Sequence, residues 1–225
     1  MTAVALIVEY KTPDLLALCL ASLRRFAPRV GINQLQGYEG AEAHACVIEN
    51  ARQQFQKIRP PPDRVILLDT DVVILSPMWE ALFTDPQFDL IGGYWERKGQ
   101  RFLHANCLAL SWRLFCAVQT FAAIPMRTDY DTAWQVTQEA ISHQWPVRVM
   151  KSRSLGRVTE YIDANGLALW RHLGRGTDFR PRGFWREGLR RMAAHLGSPR
   201  ARKILSWQQD RAAFLKKGWE IVNER

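Results

Sequence analysis

Residues 64–75, RVILLDTDVVIL, decide how the chain folds. Residues 65–68 are an unbroken aliphatic run, the pattern of a strand buried on both faces. Asp69 and Asp71 then interrupt it, and residues 72–75 resume it. In a parallel α/β sheet, ligands collect beyond the carboxyl ends of the strands, so these acids stand where strand gives way to loop. At a spacing of two, extended side chains point the same way. Two neighbouring carboxylates repel unless a positive charge lies between them. A hard divalent cation supplies that charge and leaves coordination positions for a ligand's phosphates. Acids that cap the following helix or pair with arginine fit the pattern equally well, and the residues alone leave both readings open.

The flanking segments build the frame. Upstream, residues 3–9, AVALIVE, form another continuous apolar strand. A helix follows directly: Thr12 is placed to cap it, Pro13 suits its first position and Asp14 its positive end. Leu16, Cys19, Leu20 and Leu23 give that helix an apolar stripe. Residues 37–55 read as a loop entering a second helix, with Val47, Ile48, Ala51 and Phe55 inward, and RPPPD at 59–63 is a hard break. Downstream, Ser76 and Pro77 open a short helix over 76–83. Strands are expected at 88–95, 102–110 and 146–150, and helices at 111–121 and 128–145. Past residue 183 the pattern becomes two basic amphipathic helices, near 184–195 and 199–217. The order predicts an α/β fold with a mixed, mostly parallel central sheet over residues 1–176, and a basic helical extension over 177–225.

Charge divides the chain at the same place. Residues 1–174 hold 18 Lys+Arg against 17 Asp+Glu, a net of +1, whereas residues 175–225 hold 13 against 5, a net of +8. Such asymmetry suggests a polyanionic partner. The four cysteines, Cys19, Cys46, Cys107 and Cys116, form no CxxC pair and read as buried free thiols rather than a zinc site. No apolar run approaches the roughly 20 residues needed to cross a bilayer, and the first strand is too short and followed by acids for a signal peptide. A cytoplasmic protein is the expectation.

The motif LLDTDVVIL resembles the Asp-x-Asp motif of glycosyltransferases with the GT-A fold. Its neighbours extend the likeness to family 2 of those enzymes. VALIVEYKTPDLLALCLASL resembles their opening strand and helix, EGAEAHACVIENARQQF the helix before the Asp-x-Asp strand, and FLHANCLALSWRLF the acceptor-side strand and helix. DYDTAWQV resembles their acidic helix start and WRHLG their late histidine, and the order holds over residues 3–176. Family members place a further strand, ending in a base-contacting acid, between the first two helices. Residues 26–37, FAPRVGINQLQG, contain no acid, so an abbreviated base pocket is expected, with Glu9, Tyr10 and Lys11 as substitutes.

The resemblance implies transfer of a sugar from a nucleotide-diphosphate sugar, a UDP-sugar, to a hydroxyl, assisted by Mn²⁺ or Mg²⁺. Asp71 would be the direct metal ligand, Asp69 would bind ribose or reach the metal through water, and His172 would complete the metal site. The acceptor hydroxyl must lose a proton as it attacks, and a positioned carboxylate is the usual base. The family motif assigns that role to Asp131, with Asp129 next in line, and direct displacement would invert the anomeric centre. Thr128 or Asp129 could instead only cap the helix. His44 could meet a phosphate or the sugar, and His104 the acceptor cleft, although an ordinary partly buried histidine explains either. Gly92 and Gly93 would let backbone approach the sugar, or mark a strand bend.

The tail bears on the acceptor. Arg175, Arg180, Arg182 and Arg186 lie among Phe184, Trp185, Trp207, Phe214 and Trp219. Basic residues interleaved with aromatics serve nucleic-acid binding and interfacial membrane helices alike, or pack the tail on the body. The favoured acceptor is a hydroxymethylated pyrimidine in DNA, as in a phage-type DNA-modifying enzyme. The alternatives are a lipid-linked or surface saccharide at an anionic membrane, and a non-catalytic nucleic-acid-binding protein on the same scaffold.

Overall fold

The structure, a computed structural model, describes residues 2–37, 43–97, 100–121, 132–174 and 184–224; the side chains of His44 and Arg186 lie outside that description. β1 (Ala3–Glu9) leads into α1 (Pro13–Phe26), as its capping sequence predicts. Pro13 occupies the first turn, but the Thr12 side chain makes no cap bond. Its hydroxyl lies 3.1 Å from that of Thr70 instead, joining the β1–α1 turn to the Asp-x-Asp turn.

β2 (Val30–Gln36) follows, then α2 (Ala43–Phe55), β3 (Arg64–Asp69), β4 (Val72–Ile74) and α3 (Met78–Phe83). Next come β5 (Leu90–Arg97), β6 (Gln100–Ser111), α4 (Trp112–Ala117) and α5 (Thr132–Ser142). β7 (Val147–Leu155), β8 (Val158–Ile162), β9 (Ala168–Leu173), α6 (Phe184–His195) and α7 (Pro199–Asn223) complete the order. The strands form one mixed sheet, β2-β1-β3-β6-β5-β7-β8-β9-β4. β1 pairs in parallel with β2 and β3, and β6 runs antiparallel between β3 and β5.

β3 and β4 are consecutive in the chain yet third and last in the sheet. Only Thr70 and Asp71 join them. Each extended residue spans at most about 3.6 Å, so the far edge must curl back to within about 11 Å of β3. That curl brings β9 to the Asp-x-Asp turn.

Alternation along β3 fills both faces of the sheet. Ile66 and Leu68 pack with Cys19, Leu23, Trp79 and Trp170; Val65 and Leu67 pack with Ile48, Leu108, Phe115 and Val136. An aromatic group closes the first face: Trp79 stacks on Phe83, Phe83 meets Trp170 edge-on, and Trp170 stacks on Tyr161 with centroids 4.4 Å apart. α7 is docked on α1. Phe214 is buried with Leu15, Leu18, Val73 and Leu173, and Arg211 donates to Asp14 at 2.6 Å.

Three expectations need correction. The segment before α2 is a strand: β2 pairs with β1 along its whole length. It is an edge strand of mixed exposure, so VGINQLQ shows neither a continuous apolar run nor strict alternation. β8 and β9 were not expected at all. Glu160 lies between Arg153 and Arg171 across three paired strands and is fully buried, accepting from both arginines at 2.6 Å. Charges in mid-strand hide the strand pattern until their partners are known. Cys46 and Cys116, finally, are only half-buried, unlike Cys19 and Cys107.

Candidate active site

The carboxyl ends of β1 and β3 lie side by side, with Val8 paired to Asp69. Asp69 is half-buried, while Asp71 keeps 7% of its surface exposed. β4 pairs with β9 so that Val72 stands opposite His172, and the Leu173 amide donates to the Asp71 carbonyl at 3.0 Å. This pairing sets the His172 Nε2 3.4 Å from an Asp71 carboxylate oxygen. One ligand atom each from Asp69, Asp71 and His172 fall within 4.8 Å of one another. Among the described residues no other group of three His, Cys, Asp or Glu side chains does so.

The donor set tests well against a divalent cation. Two carboxylates and one neutral imidazole suit Mn²⁺, and three protein ligands leave half of an octahedron for other oxygens. Burial by itself would push the His172 pKa down, but the Asp71 carboxylate, helped by Asp69, more than offsets this and holds it above the ordinary value. A cation at the cluster would take the place of that proton.

His104, on β6, joins the same cluster: its ring centroid lies 5.0 Å from that of His172. Its Nδ1 accepts from the Asn106 amide at 3.1 Å, which leaves Nε2 to carry the proton of a neutral ring. Burial, then the nearby His172, push its pKa down to about 3. Asn106 itself is fully buried, donates to the Tyr161 hydroxyl at 3.1 Å, and has no hydrogen-bond partner for its side-chain oxygen. Its apolar neighbours in FLHANCLAL gave no reason to single it out; a lone amide inside a strand is the only signal.

The first-strand residues are positioned by the turn. Glu9 accepts from the Thr12 amide at 2.8 Å. Lys11 takes a positive φ of 56° and lays its ammonium 4.7 Å from the centre of the Tyr10 ring. Backbone in this sparsely populated region is held by its surroundings and concentrates at ligand-binding turns. Beside it, β2 ends at Gln36, paired with Glu9. The strand that the sequence reading left out between the first two helices is therefore present, and it ends in an amide, Gln36, rather than an acid. At Gly93 a Cβ would lie 1.9 Å from the Tyr161 ring, so that ring makes a close approach to the backbone there.

Asp129, Asp131, Arg175, Arg180 and Arg182 lie outside the described residues, and His44 and Arg186 are described by backbone only. An apolar cleft of about 290 Å³, lined by Val73, Val158, Phe214 and Gly218, opens beneath α7. Val73 alternates with Val72 and belongs with the cluster around Phe214, so this cleft lies behind β4 and apart from the acids.

No protein-family model matches the sequence, and neither does any curated protein. Solved structures do. A Drosophila beta1,4-galactosyltransferase 7 variant, in complex with manganese, UDP-Gal and xylobiose, superimposes with a TM-score of 0.53 at 12% identity, over 84% of this chain and 79% of that one. The chain has the GT-A fold. Weaker matches include the glycosyltransferase GlyE of Streptococcus pneumoniae, with TM-score 0.43, 11% identity, and 65% of this chain covering 44% of that one. Another is 4-diphosphocytidyl-2C-methyl-D-erythritol synthase of Anaerococcus prevotii, with TM-score 0.42, 8% identity, and coverage of 75% and 90%. This GT-A chain thus spans less than half the length of GlyE. Within the GT-A frame, the Asp69–Asp71 turn, the β1–α1 turn and the end of β2 meet at one edge of the sheet.

Proposed function

We propose that the chain is a metal-dependent glycosyltransferase that moves a sugar from a nucleotide-diphosphate donor, a UDP-sugar, to an acceptor hydroxyl. The convergence of Asp69, Asp71 and His172 at the sheet's carboxyl edge carries the reading. These three would hold Mn²⁺ or Mg²⁺, and the bound ion would neutralise the charge that grows on the departing diphosphate. Asp69 and Asp71 orient the ligand set through the short turn that Thr70 ties to Thr12. The α1 N-terminus opens on the same turn, where backbone amides and the helix dipole favour an anion. Neutral His104 and the Asn106 side-chain oxygen, both beside the cluster, are placed to position the sugar or its phosphates. Glu9, Tyr10, Lys11 and Gln36 flank the base and ribose side.

Asp131 is the proposed general base, with Asp129 as the next choice, and attack on the face opposite the diphosphate inverts the anomeric carbon. DNA was the favoured acceptor because the tail mixes arginine with aromatics. Two of those aromatics are engaged in packing: Phe214 is buried against α1, and the Arg157 guanidinium lies 4.4 Å over Trp207. Phe214 is thereby withdrawn from stacking on bases, which lends weight to the membrane-side saccharide as the second reading.

The test is a panel of nucleotide sugars with Mn²⁺, following nucleoside diphosphate release and product anomericity. Hydroxymethylated DNA and a lipid-linked saccharide serve as acceptors. Released diphosphate that vanishes with Asp71→Ala and with chelator supports the reading. Release that survives both sinks it. Undiminished transfer by Asp131→Asn would move the base elsewhere.

A further inference from the structure

Leu189, Met192 and Leu196 recur at i, i+3 and i+7, one side of a helix. They are 61%, 56% and 78% exposed, the most exposed apolar group on the molecule among the described residues except for isolated positions. Leu189 and Met192 belong to α6, and the Leu196 amide continues the helical bonding to the Met192 carbonyl. α6 lies against α7 and α7 against α1, and the exposure of all three side chains shows the stripe facing solvent. Burying such side chains in water-free surroundings is favourable, and a contiguous exposed set marks a contact surface.

The charges on the hairpin that carries the stripe decide what covers it. Arg191, Arg200, Arg202 and Lys203 are all exposed on the same helical hairpin, and no acidic residue lies between Arg190 and Gln209. A basic hairpin with an exposed aliphatic stripe matches an anionic lipid surface: the aliphatics enter the acyl boundary and the guanidinium groups meet the phosphates. Duplex DNA would be met by the cations alone and would leave the aliphatics in water. A second copy of the chain would bring like charges together.

We propose that α6 and the start of α7 form an interfacial anchor that binds anionic lipid bilayers through Leu189, Met192 and Leu196. The anchor is independent of the transfer chemistry, and its test needs no donor. The full chain is floated with vesicles of phosphatidylcholine containing roughly 30% phosphatidylglycerol, and with neutral vesicles. A combined Leu189→Gln, Met192→Gln and Leu196→Gln variant is run beside it. These positions are exposed, so the variant should keep the parent's circular dichroism and melting curve. Binding to anionic vesicles that weakens with salt, and that drops at least about tenfold in the variant, supports the anchor. Any one of these results would overturn it: no flotation, flotation equal in the variant, or binding to duplex DNA that exceeds vesicle binding at the same salt and is unchanged in the variant. Sedimentation showing a dimer that the variant dissolves would also overturn it, since the stripe would then belong to a second copy.

Discussion

The His172 imidazole and the Asp71 carboxylate stand 3.4 Å apart because β9 pairs with β4, the strand that immediately follows the Asp-x-Asp turn. Their mutual attraction holds the histidine protonated above its ordinary range.

A metal must compete with that proton. Mn²⁺ affinity should therefore rise as pH increases through the raised His172 pKa, and level off above it. Titration calorimetry at several pH values reads this directly. His172→Gln should flatten the dependence and weaken Mn²⁺ binding by roughly 10- to 100-fold. Without metal, the same pair stabilises the fold fully below the unfolded histidine value of about 6.5, and that contribution fades as pH rises through the folded value. A metal-free melting temperature that instead climbs across this window would contradict the pairing.

Glu160 is wholly buried between Arg153 and Arg171. Glu160→Gln leaves two guanidinium groups facing a neutral amide. The cost should be about 1–3 kcal/mol, because the carboxylate is buried while Arg153 remains half-exposed to water. Urea unfolding would show it as a lower midpoint with an unchanged slope. A loss under about 0.5 kcal/mol would mean that water replaces the carboxylate.

Gly93 abuts Tyr161, and a methyl group there would overlap the ring. Tyr161 in turn holds Asn106 beside the acid cluster. Gly93→Ala should destabilise by about 1–3 kcal/mol and reduce any transfer activity that the folded fraction retains. Normal stability together with normal turnover would show that the strand shifts freely.

Arg211 fixes α7 to the start of α1 through Asp14. Burial raises the Asp14 pKa, yet the hydrogen bond and charge of Arg211 outweigh it and leave the carboxyl below its ordinary value. The link is intact above the unfolded carboxylate value, and its contribution is lost as pH falls through the folded one. Asp14→Asn should cost about 1 kcal/mol, given the half-exposed acid. It should also speed proteolysis within α7 at neutral pH. Protection equal to the parent's would place the docking energy wholly in Phe214 and its neighbours.

The local pattern was enough for the segments that are apolar throughout or regularly periodic. β1, α1, β3, β5, β6 and the two tail helices stand where periodicity puts them, because burial of a continuous run depends little on distant partners. Asp69, Asp71 and His172, which converge in the structure, were legible as a set only through the resemblance to the Asp-x-Asp motif and its late histidine. β2, β8 and β9 were not. An edge strand has half its surface in water, and a strand with Glu160 at its centre reads as loop until Arg153 and Arg171 are seen on either side.

What the sequence alone determined, then, is the alternating α/β order and the two acids at a strand's end, since both follow from short-range periodicity. Only the tertiary structure decided that the sheet curls far enough for β9 to deliver His172. It alone showed Tyr161 filling the space beside Gly93, and the tail's buried Phe214 set against its exposed aliphatics. Those outcomes depend on pairings between residues far apart in the chain, and no local pattern encodes which distant side chain will be the neighbour.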